Sequence, residues 1–506
     1  MTPRDGRAVA IKATIIALVV VSACASRRKP AIAAQAGASA AIVQLRQDLD
    51  ALFGDPVLEH VQWSVAVQSL QYGEPVYILN ATKSLVPASN EKVLTSAVAA
   101  ERLGWDHHYT TRIYATGSVS PEGTLDGDLV VTSDGDPTIN PRHPARWAVF
   151  DEWAAAIASR GIRMVSGRLI GDDDAFDEPG WGLGWSWDDF VHGFGSPTGA
   201  LQFNENEADF HVAPAREVGA RLLVTLSPSG SGLTIDSTAT TAAAGAQSLL
   251  TLERLPGSDV IHVRGQMAIN ADPEASTVSV YNPTVFYVNA LRDALTRHGV
   301  TVAGGAVDVD DLPSRPSMDV ATLLVDDQSP PLSEIIDVLM KWSRNGYAET
   351  ILRSLAPAGG PTTAEAGLVS LRDTLAAWGI PPEQYLARDG SGLSRYDWTS
   401  ADVLVRVLTH VWADPKLATP FRSALPVAGV SGGLADRMKG TPAQGRVWAK
   451  TGSMSQVRAL SGYVETMDGE TLAFSVLANG FRLPARDLDA VIDRALVRLV
   501  GLRRGP

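Results

Sequence analysis

The sequence predicts an α/β (α+β) domain, an antiparallel sheet flanked by helices, assembled from both chain ends and carrying a large strand-rich insertion. Three observations predict it. Near the start, Ile42, Leu45, Leu49, Leu52 and Phe53 recur at helical spacing, Gly54-Asp55-Pro56 stops the helix, and Trp63, Val65 and Val67 then alternate as in a strand. Near the end, Val457–Glu465 and Thr471–Asn479 are apolar strand-like runs joined through Met467-Asp468-Gly469-Glu470, where Asp-Gly is a hairpin signal. A last helix over Asp487–Leu499 buries Leu488, Val491, Ile492, Ala495, Leu496 and Leu499. Between about 111 and 282 the texture changes to short strands punctuated by Gly and Asp, as in Gly123-Thr124-Leu125-Asp126-Gly127-Asp128. The expected organisation is a leader at 1–24, a tether at 25–40, a discontinuous domain at 41–110 and 283–506, and an insertion at 111–282.

The first 12 residues hold three basic groups, and an apolar run from Ala13 to Ala23 follows before Ser22-Ala23-Cys24-Ala25. The run is too short for a comfortable span, and Arg27-Arg28-Lys29 beyond it opposes a retained anchor. A cleaved export signal is expected, and with it an extracytoplasmic, cell-envelope location. Val21-Ser22-Ala23-Cys24 resembles a bacterial lipobox, which would make Cys24 the lipidated first residue of the mature chain. Ordinary cleavage after Ala25 is the alternative and would leave no anchor. Residues 26–39, rich in Ala, Arg and Lys without periodicity, read as a tether.

The chain of 506 residues carries a net charge of −13, or −15 once the +2 of the leader is set aside. That excess of acid argues against nucleic-acid binding. A single Cys excludes an internal disulfide. The nine His include no HExxH, so no zinc site is expected, and no metal or organic cofactor is implied.

Lysine is scarce, at eight residues, so a motif that demands Lys at a fixed spacing has few chances to arise by accident. Pro87-Ala88-Ser89-Asn90-Glu91-Lys92 opens a helix whose apolar face is Val93, Leu94, Ala97, Val98 and Leu103. Ser89 and Lys92, three apart, share a helical face, so the amine can reach the hydroxyl. An alcohol needs a base to become a nucleophile, and a lysine serves if burial and a nearby cation lower its pKa. Alone this signal is weak, since Ser26-Arg27-Arg28-Lys29 shows the same spacing. Two further elements strengthen it: Ser343-Arg344-Asn345, the only Ser-x-Asn, between helical runs at Leu332–Leu339 and Ala348–Leu355, and Lys450-Thr451-Gly452, the only Lys-Thr-Gly, on a strand-like run. Together, in this order, they form the signature of serine penicillin-recognising enzymes.

The chain resembles the class C low-molecular-mass penicillin-binding proteins, the D-alanyl-D-alanine carboxypeptidase/endopeptidase family. The resemblance runs through residues 87–92, Gly135-Asp136-Pro137, 200–206, Asp389-Gly390-Ser391-Gly392-Leu393-Ser394-Arg395 and 448–453, with about 250 residues between Ser89 and Ser343 as the family's mark. It implies a penicillin-binding/β-lactamase-like fold, peptidoglycan stem peptides as substrates and β-lactams as covalent inhibitors. It also implies roles: Ser89 attacks the carbonyl between two D-alanines, Lys92 is the base, and Ser343 relays the proton. Asn345 holds the substrate amide, Lys450 and Thr451 bind the terminal carboxylate, and the backbone N–H groups of Ser89 and Ser453 form an oxyanion hole. Gly452 is expected to leave room for substrate against the strand. Arg344 departs from the Asp more usual at its position.

Gly429-Val430-Ser431-Gly432-Gly433 matches the nucleophile elbow of α/β-hydrolases, but that fold needs a later His and the last here is His410. The run Asp172–Asp174 reads as a solvated turn rather than a cation site, and Trp181, Trp185 and Trp187 as a satellite core under a loop. Two alternatives stay open. A catalytically silent wall-binding scaffold is disfavoured by intact Ser89, Lys92 and Lys450, and a β-lactamase-like hydrolase by the long insertion.

Overall fold

The computed structural model describes residues 40–504, so the leader 1–24, Cys24 and all of the tether but Ala40 lie outside the described residues. The helix expected at the start spans Ala40–Phe53 and the final helix Ala485–Val500. Between them lies a five-stranded antiparallel sheet in the order Val447–Met454, Val457–Glu465, Thr471–Asn479, Gln62–Ser69, Pro75–Leu79. The ends of the chain therefore meet inside one sheet, with Val65 opposite Val476.

The central strands are buried on both faces, and the alternation of side chains separates two cores. Val65, Val67, Leu460, Phe474 and Val476 pack toward the two terminal helices. Ala66, Ala459 and Ala473, largely small, pack toward the helices Glu91–Arg102, Leu332–Trp342, Asn345–Ser354 and Ala401–Ala413. Small side chains let these helices lie close to the sheet, which brings the start of Glu91–Arg102 against the Val447–Met454 strand.

Among the described residues, no strand from 111–282 enters that sheet. They form separate sheets, one of which runs Ala306–Asp308, Leu169–Asp172, Leu129–Ser133, Thr110–Ala115, Thr322–Gln328. Its apolar core extends from Ile113 to Val325 and takes in the helix Pro283–Arg297. Elements that follow residue 282 thus pack with the strand-rich part. A change of sequence texture marks where turns crowd together, not which core a later helix joins.

The acidic run at Asp172–Asp174 is not simply a solvated turn. Asp173 is buried, accepts a hydrogen bond from the Thr284 hydroxyl and is pushed up to about 7 by that burial, while Asp174 pairs with Arg315. No cluster of His, Cys, Asp or Glu suited to a metal ion occurs among the described residues. Nor is any described helix long and apolar enough to cross a membrane.

Candidate active site

Ser89 sits in a tight helical turn, Ala88–Asn90, that runs into the helix Glu91–Arg102. The turn is fastened to the sheet from both sides. Asn479 accepts from the Val86 N–H at 2.8 Å and donates to the Val86 carbonyl at 3.1 Å, and Asn90 Nδ2 donates to the Lys450 carbonyl at 3.1 Å. Ala88 takes a φ of 46°, a left-handed conformation that costs a residue with a Cβ about 1–2 kcal/mol. Two glycines make room for it. A Cβ on Gly392 would stand 1.9 Å from the Ala88 carbonyl oxygen, and one on Gly452 would stand 2.8 Å from the Pro87 carbonyl oxygen and 2.9 Å from Asn90 Nδ2. At Gly452, expected to leave room for substrate against the strand, the missing Cβ also makes room for the turn that carries Ser89.

Lys92 is fully buried, and its Nζ has three partners: Ser89 Oγ at 2.9 Å, Asn345 Oδ1 at 2.7 Å and the Ser391 carbonyl at 2.7 Å. Burial lowers its pKa to about 7, with the Arg344 charge adding to the fall and Asp389, Glu349 and Asp397 opposing it. An amine with that pKa is substantially deprotonated at neutral pH, as a general base must be.

Ser343 caps the helix Leu332–Trp342 in the left-handed region, with φ 59°, and this turns its hydroxyl toward the Val447–Met454 strand. Lys450 Nζ donates to Ser343 Oγ at 2.8 Å and to the Thr451 carbonyl at 2.9 Å. Lys450 is fully buried as well, and burial, reinforced by the Lys92 charge, holds its pKa well below the usual lysine range. The Asn345 carboxamide, expected to hold the substrate amide, is engaged at both ends, accepting from Lys92 and donating through Nδ2 to the Phe194 carbonyl at 2.8 Å. Arg344 pairs with Glu205 and Glu207, beside Arg142, which meets Glu205 at 2.7 Å. Its charge is thereby matched by carboxylates from the strand-rich part.

Ser89, Ser343, Asn345 and Ser453 line one cavity of about 370 Å³, with Gly392, Leu393, Phe194 and Met454. Lys92 and Lys450 lie behind its wall. Thr451 is on the same strand, its Oγ1 2.9 Å from where a Cβ on Gly433 would be. Asp188 and Asp189 face the cavity together with Arg395, so both signs of charge lie in the wall that Ser89 lines.

The sequence assigns several of these residues no role. Asp389 and Ser391 lie in a segment that carries the resemblance, but their place beside Lys92 comes only from the fold; Glu349, Asp188 and Asp189 lie in no such segment, and the two Asp come from the insertion. The two Asp and Trp187 share one short helical turn, Trp187–Val191. Of the three tryptophans expected in a satellite core, Trp181 stacks on Phe190, Trp185 is buried with its indole N–H on Asp389 Oδ2 at 2.8 Å, and Trp187 is exposed. Ser431 of the Gly-rich loop accepts from the Val427 N–H at 3.2 Å, a structural role.

The model of the D-Ala-D-Ala carboxypeptidase 3 (S13) family matches residues 45–499. A D-alanyl-D-alanine carboxypeptidase of Actinomadura sp. (strain R39) is 36% identical over 482 residues, 93% of this chain and 86% of its own. The D-alanyl-D-alanine carboxypeptidase DacB of Haemophilus influenzae is 26% identical over 425 residues, 82% of this chain and 84% of its own. The crystal structure of penicillin binding protein 4 (dacB) from Haemophilus influenzae superposes with a TM-score of 0.78 at 24% identity, covering 90% of this chain and 98% of that one. The same protein complexed with a β-lactam gives a TM-score of 0.72 at 22% identity, covering 90% and 98%.

Proposed function

Because the chain belongs to the D-Ala-D-Ala carboxypeptidase 3 (S13) family, we propose that its serine-type D-Ala-D-Ala carboxypeptidase and endopeptidase activity runs through an acyl-enzyme on Ser89. One observation carries the reading: the buried Lys92 amine, with a pKa near 7, lies 2.9 Å from the Ser89 hydroxyl at the wall of a cavity. Lys92 takes the Ser89 proton as Oγ attacks the carbonyl between the terminal D-alanines. Ser343 accepts from Lys450 and keeps its own hydroxyl hydrogen for the departing amine. Bond by bond, the Ser89 ester forms, the peptide C–N bond breaks, the Ser343 hydroxyl proton ends on the D-alanine nitrogen, and Lys450 reprotonates Ser343. Water then hydrolyses the ester: its hydroxyl goes to the acyl carbon, its remaining proton returns to Lys450 through Ser343, and the proton held by Lys92 returns to Ser89 Oγ. Backbone N–H groups of Ser89 and Ser453 stabilise the oxyanion, about 10²- to 10³-fold for one donor.

Lys450 meets the terminal carboxylate with Thr451, and the arriving anion favours its protonated form. The opposed charges of Asp188, Asp189 and Arg395 suit the polar stem of a peptidoglycan peptide. A β-lactam acylates the same serine, because its strained amide occupies the place of the D-Ala-D-Ala bond. We place the inserted unit at about 110–328, following its apolar core. Residues 1–24 support export to the cell envelope, where the substrate is, and Cys24 supports attachment to the membrane through a lipid anchor.

The direct test is D-alanine release from an acylated peptide ending in D-Ala-D-Ala. The wild-type protein releases one D-alanine per peptide, and Ser89→Ala releases none while unfolding at the same temperature. Retained release in the variant overturns the assignment.

A further inference from the structure

The three motifs account for two of the three partners of the general base; the third is a backbone carbonyl. A deprotonated lysine has two N–H bonds and one lone pair. Asn345 Oδ1 can only accept, and its orientation is set because Nδ2 donates to the Phe194 carbonyl. The Ser391 carbonyl, 2.7 Å away, can also only accept. These two engage both N–H bonds, so what remains facing Ser89 Oγ is the lone pair. Without the Ser391 carbonyl the amine would be free to turn an N–H toward Ser89, and a donor there cannot receive a proton.

The position of that carbonyl is over-determined. Glu349 Oε1 accepts from the N–H of Gly390 at 3.1 Å and of Ser391 at 2.9 Å. Asp389 accepts from the N–H of Ser391 at 3.1 Å, Gly392 at 2.6 Å and Ser394 at 2.7 Å, and from the indole of Trp185. Thr95 Oγ1 donates to the Gly390 carbonyl at 2.8 Å, and a Cβ on Gly390 would lie 2.6 Å from the Ala348 carbonyl oxygen, so the turn sits flush on its supporting helix. Glu349 is itself buried, with Arg353 3.8 Å away. Burying a carboxyl to hold two backbone N–H groups of a turn that touches the catalytic amine is a costly arrangement for stability alone.

We propose that Glu349 is a positioning residue for the general base, acting through the Gly390–Ser391 turn to point the Lys92 lone pair at Ser89. The inference rests on Ser89 and Lys92 being nucleophile and base. Titratable and charged groups face Lys92 from every side: Glu91 on its own helix, Arg344 and Glu349 on the next, Asp389 and Asp397 from the turn segment, and Lys450 from the strand. The test therefore separates geometry from charge.

The experiment is stopped-flow acylation of the full protein by a fluorescent penicillin, fitted to a saturating rate constant and a half-saturating concentration. The rate constant belongs to folded molecules only, so partial unfolding reduces amplitude and not rate. Glu349→Ala is expected to acylate about 10²-fold more slowly at an unchanged half-saturating concentration, the loss typical of a misdirected base. Glu349→Gln keeps an oxygen for both N–H groups and is expected to stay within about 5-fold of wild type. Should the alanine variant fail to fold, Glu349→Asp keeps the charge, draws the acceptor back by one methylene and is expected to slow acylation at least about 10-fold. Wild-type rates in Glu349→Ala or Glu349→Asp overturn the proposal, as does a Gln variant as slow as the Ala variant, which would assign the effect to charge. Absence of a Ser89 adduct in the wild-type protein would instead overturn the assignment of the nucleophile.

Discussion

Lys450 Nζ lies 2.8 Å from Ser343 Oγ, joining a helix cap to a sheet strand 107 residues further along the chain. The bond leaves the Ser343 hydroxyl hydrogen free to point elsewhere, and under the proposed function Lys450, protonated as the anion arrives, meets the terminal carboxylate. Lys450→Met should lower kcat/KM on a D-Ala-D-Ala peptide by about 10²-fold or more, near 2.7 kcal/mol of transition-state stabilisation. The same variant should lose most of the preference for a free C-terminal acid over its amide. Comparing the two substrates checks this, and an undiminished preference would move carboxylate recognition away from Lys450.

The acylation rate should rise with pH through a midpoint near 7, the value to which burial lowers Lys92. The sign follows from the chemistry of a general base, which accepts a proton only when deprotonated, so acid titrates activity away. Two pH units below the midpoint the rate should be down by about 100-fold. Second-order acylation by a penicillin between pH 5 and 9 gives the profile. A flat profile, or one that falls with pH across this range, would contradict Lys92 as the base.

Arg344 pairs with Glu205 and Glu207, side chains 9% and 7% exposed. Arg344→Ala leaves two poorly hydrated carboxylates facing each other and should cost about 3 kcal/mol of stability. Equilibrium unfolding in urea measures it. Arg344→Asp should cost more, because it sets a third carboxylate against the pair. A neutral result for either variant would mean that Glu205 and Glu207 find other partners.

Gly392 has a φ of 81°, and a Cβ there would stand 1.9 Å from the Ala88 carbonyl oxygen. Gly392→Ala must displace the turn that displays Ser89, so penicillin labelling should fall by about 10-fold or more even where the protein remains folded. Labelling and circular dichroism on the same sample distinguish this from general unfolding.

Much of the framework was legible in the residues because periodicity reports burial directly. Val457–Glu465 and Thr471–Asn479 are strands over the expected bounds, and the expectation that both chain ends share a sheet holds through the pairing of Gln62–Ser69 with Thr471–Asn479. Ser89, Lys92 and Lys450 could be singled out as candidates because lysine is scarce and two of the three motifs need it at a fixed place, and the fold brings them to one cavity and its wall. The supporting contacts could not. Glu349 sits on a helix like any surface glutamate in a sequence, and only the fold buries it under Gly390 and Ser391. Arg344 and Glu205 are 139 residues apart, and charge pairing at that separation leaves no periodic trace. Pro283–Arg297 is an ordinary amphipathic helix, and its pattern does not say whether its apolar face meets the catalytic helices or the strand-rich core it joins.

The central claim is that Ser89 is the acylated residue, and peptide mapping of the protein after reaction with a fluorescent penicillin tests it most directly. The expected result is one slowly released adduct on the peptide containing Ser89, lost in Ser89→Ala with the fold intact. An adduct on a different serine of the wild-type protein, or labelling that persists in Ser89→Ala, would contradict it.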